Sequence, residues 1–65
     1  MENYNKVEES PNGNKYYYLN NKHHRTDGPA IEYPDGSKYY YLNGELLYIS
    51  SDKELEKIVK LQILK

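Results

Sequence analysis

Two adjacent histidines, in the segment KHHRTD, are the side chains of this 65-residue chain that most readily suggest metal or acid–base chemistry. His23 and His24 are neighbours, so on a β-strand they point to opposite faces and do not hold one ion as a pair. The chain has no cysteine that could complete a metal site. We therefore expect no metal and no cofactor, and we expect Arg25 and Asp27 to pair with each other across the turn.

The other groups with catalytic potential form no recognisable arrangement. A serine nucleophile needs a base within hydrogen-bond reach, and the serines of this chain fall in predicted turns or at a predicted helix start. The acids Glu8 and Glu9 lie on a half-polar strand. A chain this small also has difficulty enclosing a dry pocket. The sequence therefore predicts a protein that is not an enzyme.

All aromatic residues are tyrosines, nine in number, and the string KYYYLN occurs twice. Tyrosine suits a half-exposed sheet face, because its ring packs while its hydroxyl meets water. Alternation along a strand puts the first and third tyrosines of each copy on one face, and the middle tyrosine and the leucine on the other. We assign the leucine-containing face to the side covered by the C-terminal tail. The first face comprises Tyr16, Tyr18, Tyr39 and Tyr41, and the second comprises Tyr17, Leu19, Tyr40 and Leu42.

Three uses of the first face remain open at this stage. Its rings pack only against cross-strand neighbours, or they dock a protein partner, since tyrosine is enriched at binding hot spots, or they stack on bases. The imidazole and basic groups of KHHRTD extend an edge of such a surface. The candidate partner-binding residues are Tyr16, Tyr18, Tyr39, Tyr41, His23, His24 and Arg25.

The charge balance argues against a nucleic-acid partner. Nine basic residues face ten acidic ones, for a formal net charge of −1, whereas nucleic-acid binders usually carry a basic excess. The N-terminal MENYNKVEES has no apolar core of the kind found in signal peptides. The apolar-rich stretch KIVKLQILK is too short and too charged to cross a bilayer. Together with the lack of cysteine, these features predict a cytoplasmic protein that does not enter membranes.

The chain repeats itself with a period of 23 residues. The stretch from Pro11 to Asn21 matches the stretch from Pro34 to Gly44 at all but three positions. In each copy, PNG or PDG favours a tight turn, and NN or NG favours a two-residue type I′ hairpin turn. The β-prone segments between these turns predict an antiparallel meander. The predicted strands are residues 6–9, 15–19, 22–24, 30–33, 38–42 and 45–49.

The tail changes to a helical pattern. Ser51 and Glu54 fit a capping box, and Asp52 favours the same helix start. The alternation within VKLQIL leaves a final strand as the alternative. The prediction is a single domain, 1–65, with a repeat sheet over residues 4–49 and a helix over residues 51–64. The expected inner face of the helix is Leu55, Ile58, Val59 and Gln62.

The apolar residues at the end of the tail exceed what one helix face needs over so small a sheet. A meander also leaves two open edges, which invite pairing with another chain. Both features predict self-association, for example a homodimer, or docking on a partner. The alternative is that the helix lies across the sheet and buries all of these residues except Leu64. The candidate oligomer-interface residues are Leu61, Ile63 and Leu64.

The stretch HRTDGPAIEYPDGSKYYYLNGELL resembles short repeats of bacterial, phage and giant-virus proteins with the pattern HRxDGPA, DG, an aromatic residue and NG. Those repeats are in turn similar to MORN repeats, and the resemblance covers residues 4–48. It implies an elongated, twisted sheet of successive hairpins, in which the histidine and arginine are architectural. It also implies scaffolding, membrane association or protein contact rather than catalysis. Tyr40 or Tyr41 stands where a MORN hairpin has glycine, so the lipid binding of MORN arrays is not carried over.

This resemblance, the small size and the Lys/Asn/Tyr-rich composition imply a phage or mobile-element product. We therefore expect a non-enzymatic protein-interaction module that inhibits a bacterial defence enzyme, of the anti-CRISPR or anti-defence type, by occluding a protein surface. The alternatives are an oligomeric binder of nucleotide or nucleic acid through tyrosine-lined surfaces, and a structural assembly unit.

Overall fold

The computed structural model describes residues 1–63 and shows an antiparallel six-stranded sheet followed by one helix. The predicted combination of a mainly β domain with a C-terminal helix is thus confirmed. The molecule is thin, with extents of 39 × 24 × 15 Å. The elements are β1 (Lys6–Glu9), β2 (Lys15–Leu19), β3 (Lys22–His23), β4 (Ile31–Glu32), β5 (Lys38–Leu42), β6 (Glu45–Leu47) and α1 (Asp52–Ile63).

The 23-residue period of the sequence reappears in the pairing of the strands. In the β1–β2 pair Glu8 lies opposite Tyr16, and in the β4–β5 pair Ile31 lies opposite Tyr39, 23 residues further along both strands. The β2–β3 and β5–β6 hairpins obey the same rule, with the partners of Tyr18 and Tyr41 also 23 residues apart. The two repeats are therefore built in one register.

The turns have the backbone geometry that the sequence predicts. Asn20 and Asn21 both have positive φ, at 52° and 67°, and Asn43 and Gly44 have φ of 53° and 84°. Positive φ at both central residues defines the type I′ hairpin turn, whose twist matches that of the flanking strands. The PNG and PDG turns are also equivalent, each with its glycine at φ above 90°.

The strand order differs from a simple meander. The order is β1-β2-β4-β5-β6, and β3 pairs with the same strand β2 that β4 contacts. Tyr17 marks the change of partner, because its carbonyl accepts from the His24 N–H while its own N–H donates to the Ala30 carbonyl. Strand β3 therefore ends at His23, one residue earlier than predicted. Strand β6 ends at Leu47 instead of residue 49, and Tyr48 beyond it is 93% exposed.

The helix covers one face of the second repeat. Leu55, which is 1% exposed, forms a buried cluster with Tyr40 and Leu42, and Ile58 and Val59 pack against it. The Ser51 hydroxyl accepts from the Glu54 N–H, as an N-cap does. The helix and most of its predicted inner face are confirmed, whereas Gln62 is exposed.

Candidate functional site

One face of the sheet carries a continuous aromatic surface that the helix leaves uncovered. Residues directly opposite each other in neighbouring strands share a face, so the pairing registers place the tyrosines of β2 and β5 beside each other, across β4. Tyr33, just after β4, joins them through an edge-to-face contact with Tyr39 at 5.7 Å. We call this surface the tyrosine face; it comprises Tyr16, Tyr18, His23, Tyr33, Tyr39 and Tyr41.

His23 links the two repeats within the tyrosine face. Its ring stacks on Tyr18 at 4.7 Å between centroids and lies 5.2 Å from the ring of Tyr41 and 6.2 Å from that of Tyr16. Its Nδ1 atom is buried and has no hydrogen-bond partner among the described residues. The imidazole is therefore held by ring contacts rather than by a polar network.

Ile31 forms the floor of the tyrosine face. It lies opposite Tyr16 on one side and Tyr39 on the other, and it is buried. Sequence reasoning placed neither Ile31 nor Tyr33 in the site. Alternation along residues 30–33 would have put both on one face, but only the pairing register shows that this is the tyrosine face.

Charged side chains of both signs lie next to the tyrosine face, namely Lys6 and Glu8 on β1 and Asp35 close to Tyr33. The Lys6 Nζ lies 5.9 Å from the centre of the Tyr18 ring and 3.0 Å from a carboxylate oxygen of Glu8. Partial burial raises the pKa of the Tyr18 phenol, and the negative charge of Glu8 raises it further. Partial burial likewise raises the pKa of Tyr33, with smaller effects from neighbouring tyrosines and from the negative charge of Asp35. These hydroxyls are therefore neutral donors at physiological pH.

The HRTDGPA segment lies on the opposite side of the sheet, where it covers the first repeat. The Arg25 guanidinium lies 4.1 Å from the centre of the Tyr17 ring, a stacking geometry that favours arginine. It also donates to Asp27 at 2.7 Å and to the Pro29 carbonyl at 3.3 Å. The predicted Arg25–Asp27 pair is thus confirmed, and the bond from Arg25 lowers the pKa of Asp27. A Cβ on Gly28 would stand 2.9 Å from the guanidinium carbon, so this position admits only glycine without displacement of Arg25.

His24 is a buried structural link. Its Nδ1 accepts from the Asn43 N–H at 2.9 Å, so the other ring nitrogen carries the proton and donates to the Glu2 carbonyl at 2.7 Å. The ring has no exposed surface and ties the N-terminal segment to the second hairpin turn. His24 and Arg25 therefore do not join the tyrosines as candidate binding residues. Alternation turns His24 away from the tyrosine face into the interior, and Arg25, beyond the end of β3, stacks on Tyr17 on the other side of the sheet. His23, Tyr16, Tyr18, Tyr39 and Tyr41 do come together.

The candidate oligomer-interface residues of the tail are only partly described. Leu61 is 61% exposed on α1. Ile63 is the last residue of the helix, and Leu64 lies outside the described residues. Their role in self-association stays a prediction.

The arrangement offers a surface rather than a cavity. Over residues 1–63 there is no pocket, and no cluster of three or more His, Asp or Glu side chains is placed to hold a metal ion. In the same part of the chain, no helix is long and apolar enough to cross a membrane. What the tyrosine face can supply is aromatic area edged by hydroxyl donors.

No family model, curated protein or solved structure matches this chain in a comparison with known proteins.

Proposed function

We propose that this protein is a non-enzymatic interaction module that docks on a protein partner through the tyrosine face. The observation that supports this most directly is that five tyrosines and His23 form one face while α1 and the Arg25 loop cover the other. Tyrosine supplies large, rigid contact area at low entropic cost, and it is enriched among residues that dominate binding energy. Tyr39, at 44% exposure, is the most accessible ring of this face.

The finer proposal is that the partner is a bacterial defence enzyme, and that the chain inhibits it by covering a functional surface. It rests on the resemblance of HRTDGPA and the following hairpin to MORN-like repeats of phage and bacterial proteins, and on the small size. A surface without a pocket suits occlusion, because blocking a protein surface needs contact area and no cavity of its own.

A tagged chain used as bait in bacterial lysate tests this proposal. The wild-type chain should retain a stoichiometric partner, and the double variant Tyr39→Ala with Tyr41→Ala should lose it. Tyr48→Ala is the matched control, because Tyr48 is equally aromatic and 93% exposed but lies outside the tyrosine face; it should retain the partner. Circular dichroism verifies that each variant is folded. Failure to recover any stoichiometric partner, or equal loss with Tyr48→Ala, contradicts the proposal.

A second candidate function is stacking on nucleotides or single-stranded nucleic acid. The stacked pair of Tyr18 and His23, with Tyr41 beside it, favours this alternative, because base–aromatic stacking tolerates any sequence. The near-neutral edge predicts affinity with a shallow salt dependence. Titration of a fluorescent oligonucleotide should then show binding that Tyr18→Ala abolishes and Tyr48→Ala leaves intact. The absence of binding by the wild-type chain at low salt removes this candidate.

A further inference from the structure

The two repeats differ in what lies beyond their outer edge. The β2 edge at Lys15 and Tyr16 is paired with β4. Within residues 1–63, no strand lies beside the corresponding edge of β5 at Lys38 and Tyr39, because β6 pairs with Tyr40–Leu42. The second repeat thus presents the same backbone edge as the first, without the strand that completes it.

The surroundings of two residues also differ between the repeats at this edge. A Cβ on Gly13 would meet the ring of Pro34, which belongs to the second repeat, at 3.2 Å, whereas a Cβ on the equivalent Gly36 would meet no atom of the described residues within 4 Å. Tyr39 is exposed, whereas its equivalent Tyr16 is half-buried. Both differences arise where a further repeat would stand next to β5.

The strand that fits this edge is β1 of a second copy. Strand β1 occupies in the first repeat the position that β4 occupies in the second. Its own outer side is exposed and pairs with no strand of the part of the chain that the structure describes. Because β1 is equivalent to β4 and β2 is equivalent to β5, β1 of another copy can pair with β5 in the way that β4 pairs with β2. We therefore propose that copies of this chain associate head to tail, with Glu9 of one copy opposite Lys38 of the next.

The charges support this register. Glu9, Lys15, Glu32 and Lys38 form one row across the sheet, each opposite the next, with acid and base in alternation. The row ends in a carboxylate on β1 and an ammonium on β5. Head-to-tail pairing continues the alternation, and opposite charges across a strand pair are favourable. Pairing β1 with β1 in a register centred on Glu8 or Glu9 would place acid opposite acid, which is unfavourable.

The backbone groups at both edges are available for this pairing. Residues of an antiparallel pair alternate between bonding to that partner and pointing away from it. The Tyr33 N–H bonds to the Ser37 carbonyl, so the next residue along β5, Lys38, points its N–H and carbonyl away from β4. By the equivalent argument from the Ser10–Asn14 bond, Glu9 points away from β2.

The association should be weak and open-ended. In the contact between β2 and β4 within one chain, Ile31 lies opposite Tyr16. In the proposed contact between copies, Glu8 takes the place of Ile31, so this contact buries less apolar area. A head-to-tail contact that does not close produces chains of copies rather than one defined oligomer. The mass measured by light scattering should therefore rise continuously from micromolar to millimolar concentration.

Proline substitutions at the two edges test the proposal. Glu9→Pro and Lys38→Pro each remove one outward N–H that no internal strand pair uses, so each variant should fold and remain monomeric. An equimolar mixture should form heterodimers and nothing larger, because only the β1 edge of the Lys38→Pro chain and the β5 edge of the Glu9→Pro chain remain. Glu9→Ala keeps the N–H and should raise the dissociation constant only about two- to fivefold, as expected for one lost cross-strand charge pair.

Three outcomes would overturn the proposal. The first is a wild-type chain that stays monomeric at millimolar concentration. The second is a Lys38→Pro variant, folded by circular dichroism, that associates like the wild type while Glu9→Pro stays monomeric, as β1–β1 pairing predicts. The third is that both proline variants associate normally, as contacts through the tyrosine face or the helix predict. The test does not involve partner binding, so it is separable from the proposed function.

Discussion

The two KYYYL strands are identical in sequence but are covered in different ways. In β2, Tyr17 lies under the Arg25 guanidinium and against Tyr4, at 4.8 Å between ring centroids. In β5, Tyr40 lies in an apolar cluster with Leu55, and its hydroxyl donates to Asp52. A strand of this type needs one face covered. In the first repeat a loop covers it with the Arg25 guanidinium, and in the second repeat the helix covers it. The following predictions use this difference, from the largest effect to the smallest.

The helix cover of the second repeat should be the most sensitive. Leu55→Ala removes the most buried leucine and should lower the free energy of unfolding by about 2–5 kcal/mol, comparable with the whole stability of many small domains. Denaturant unfolding followed by circular dichroism measures this effect. Leu61→Ala on the exposed side should change stability by less than about 0.5 kcal/mol. Equal effects of the two substitutions would mean that the helix does not cover β5.

The loop cover of the first repeat should be less sensitive but specific for arginine. Arg25→Lys keeps the charge and loses the planar stack on Tyr17 and the simultaneous bonds to Asp27 and Pro29, so we expect a loss of about 1–3 kcal/mol. Lys60→Ala, which breaks an exposed pair with Glu56, should cost less than about 0.5 kcal/mol. Hydrogen exchange should show that Arg25→Lys weakens β1–β2 more than β5–β6. An equal loss of protection in both strand pairs would contradict the view that the loop and the helix cover the two repeats independently.

The hydroxyl of Tyr40 should make stability depend on alkaline pH. Burial, and then the bond to Asp52, raises the pKa of Tyr40 from 10.0 to about 12. The folded state therefore holds this proton more tightly than the unfolded state, so the contribution is complete below pH 10 and is lost as the pH rises towards 12. Tyr40→Phe should be about 1 kcal/mol less stable than the wild type at pH 8, and the difference should shrink through this range. Tyr48→Phe should show no such difference. If the stability difference between Tyr40→Phe and the wild type stays constant with pH, the hydroxyl of Tyr40 is not the group that titrates.

The hairpin turns offer the smallest effect. Asn21→Gly gives the first turn the NG sequence of the second, and it should stabilise the chain by roughly 0.5 kcal/mol, because glycine adopts positive φ without strain. Gly44→Asn should destabilise the chain by a similar amount, because asparagine adopts positive φ less readily than glycine. No steric clash should add to this loss, since a Cβ at position 44 would reach only ordinary contact with Lys22 at 3.5 Å. Thermal unfolding of both variants checks whether the turns are equivalent. Changes of the same sign in both would show that they are not.

Local pattern accounts for the elements that were predicted correctly. Asn20 and Asn21, like Asn43 and Gly44, determine their turns because few residues accept positive φ. The boundaries of β2 and β5 follow from these turns, and Ser51 marks the helix start. The shorter β3 and β6 were not predictable in the same way, because they end where the chain takes a different partner or leaves the sheet.

The predicted grouping of tyrosines on one face was right where alternation within a strand decides the face. That rule places Tyr16 with Tyr18 and separates them from Tyr17. It does not say which strand lies alongside, so the roles of Ile31 and Tyr33 were missed. The same rule separates His23 from His24, although both were included among the candidate partner-binding residues.

The sequence by itself determined the turns, the two-residue alternation and the 23-residue period, because each depends on the conformational preferences of neighbouring residues. The tertiary structure decided that β4 rather than β3 completes the edge of β2 at Lys15, that Arg25 covers Tyr17, and that His23 joins the two repeats. These contacts join residues far apart in the chain or depend on competition between strands for one edge. Hydrogen bonding and burial settle that competition only when the whole sheet has formed.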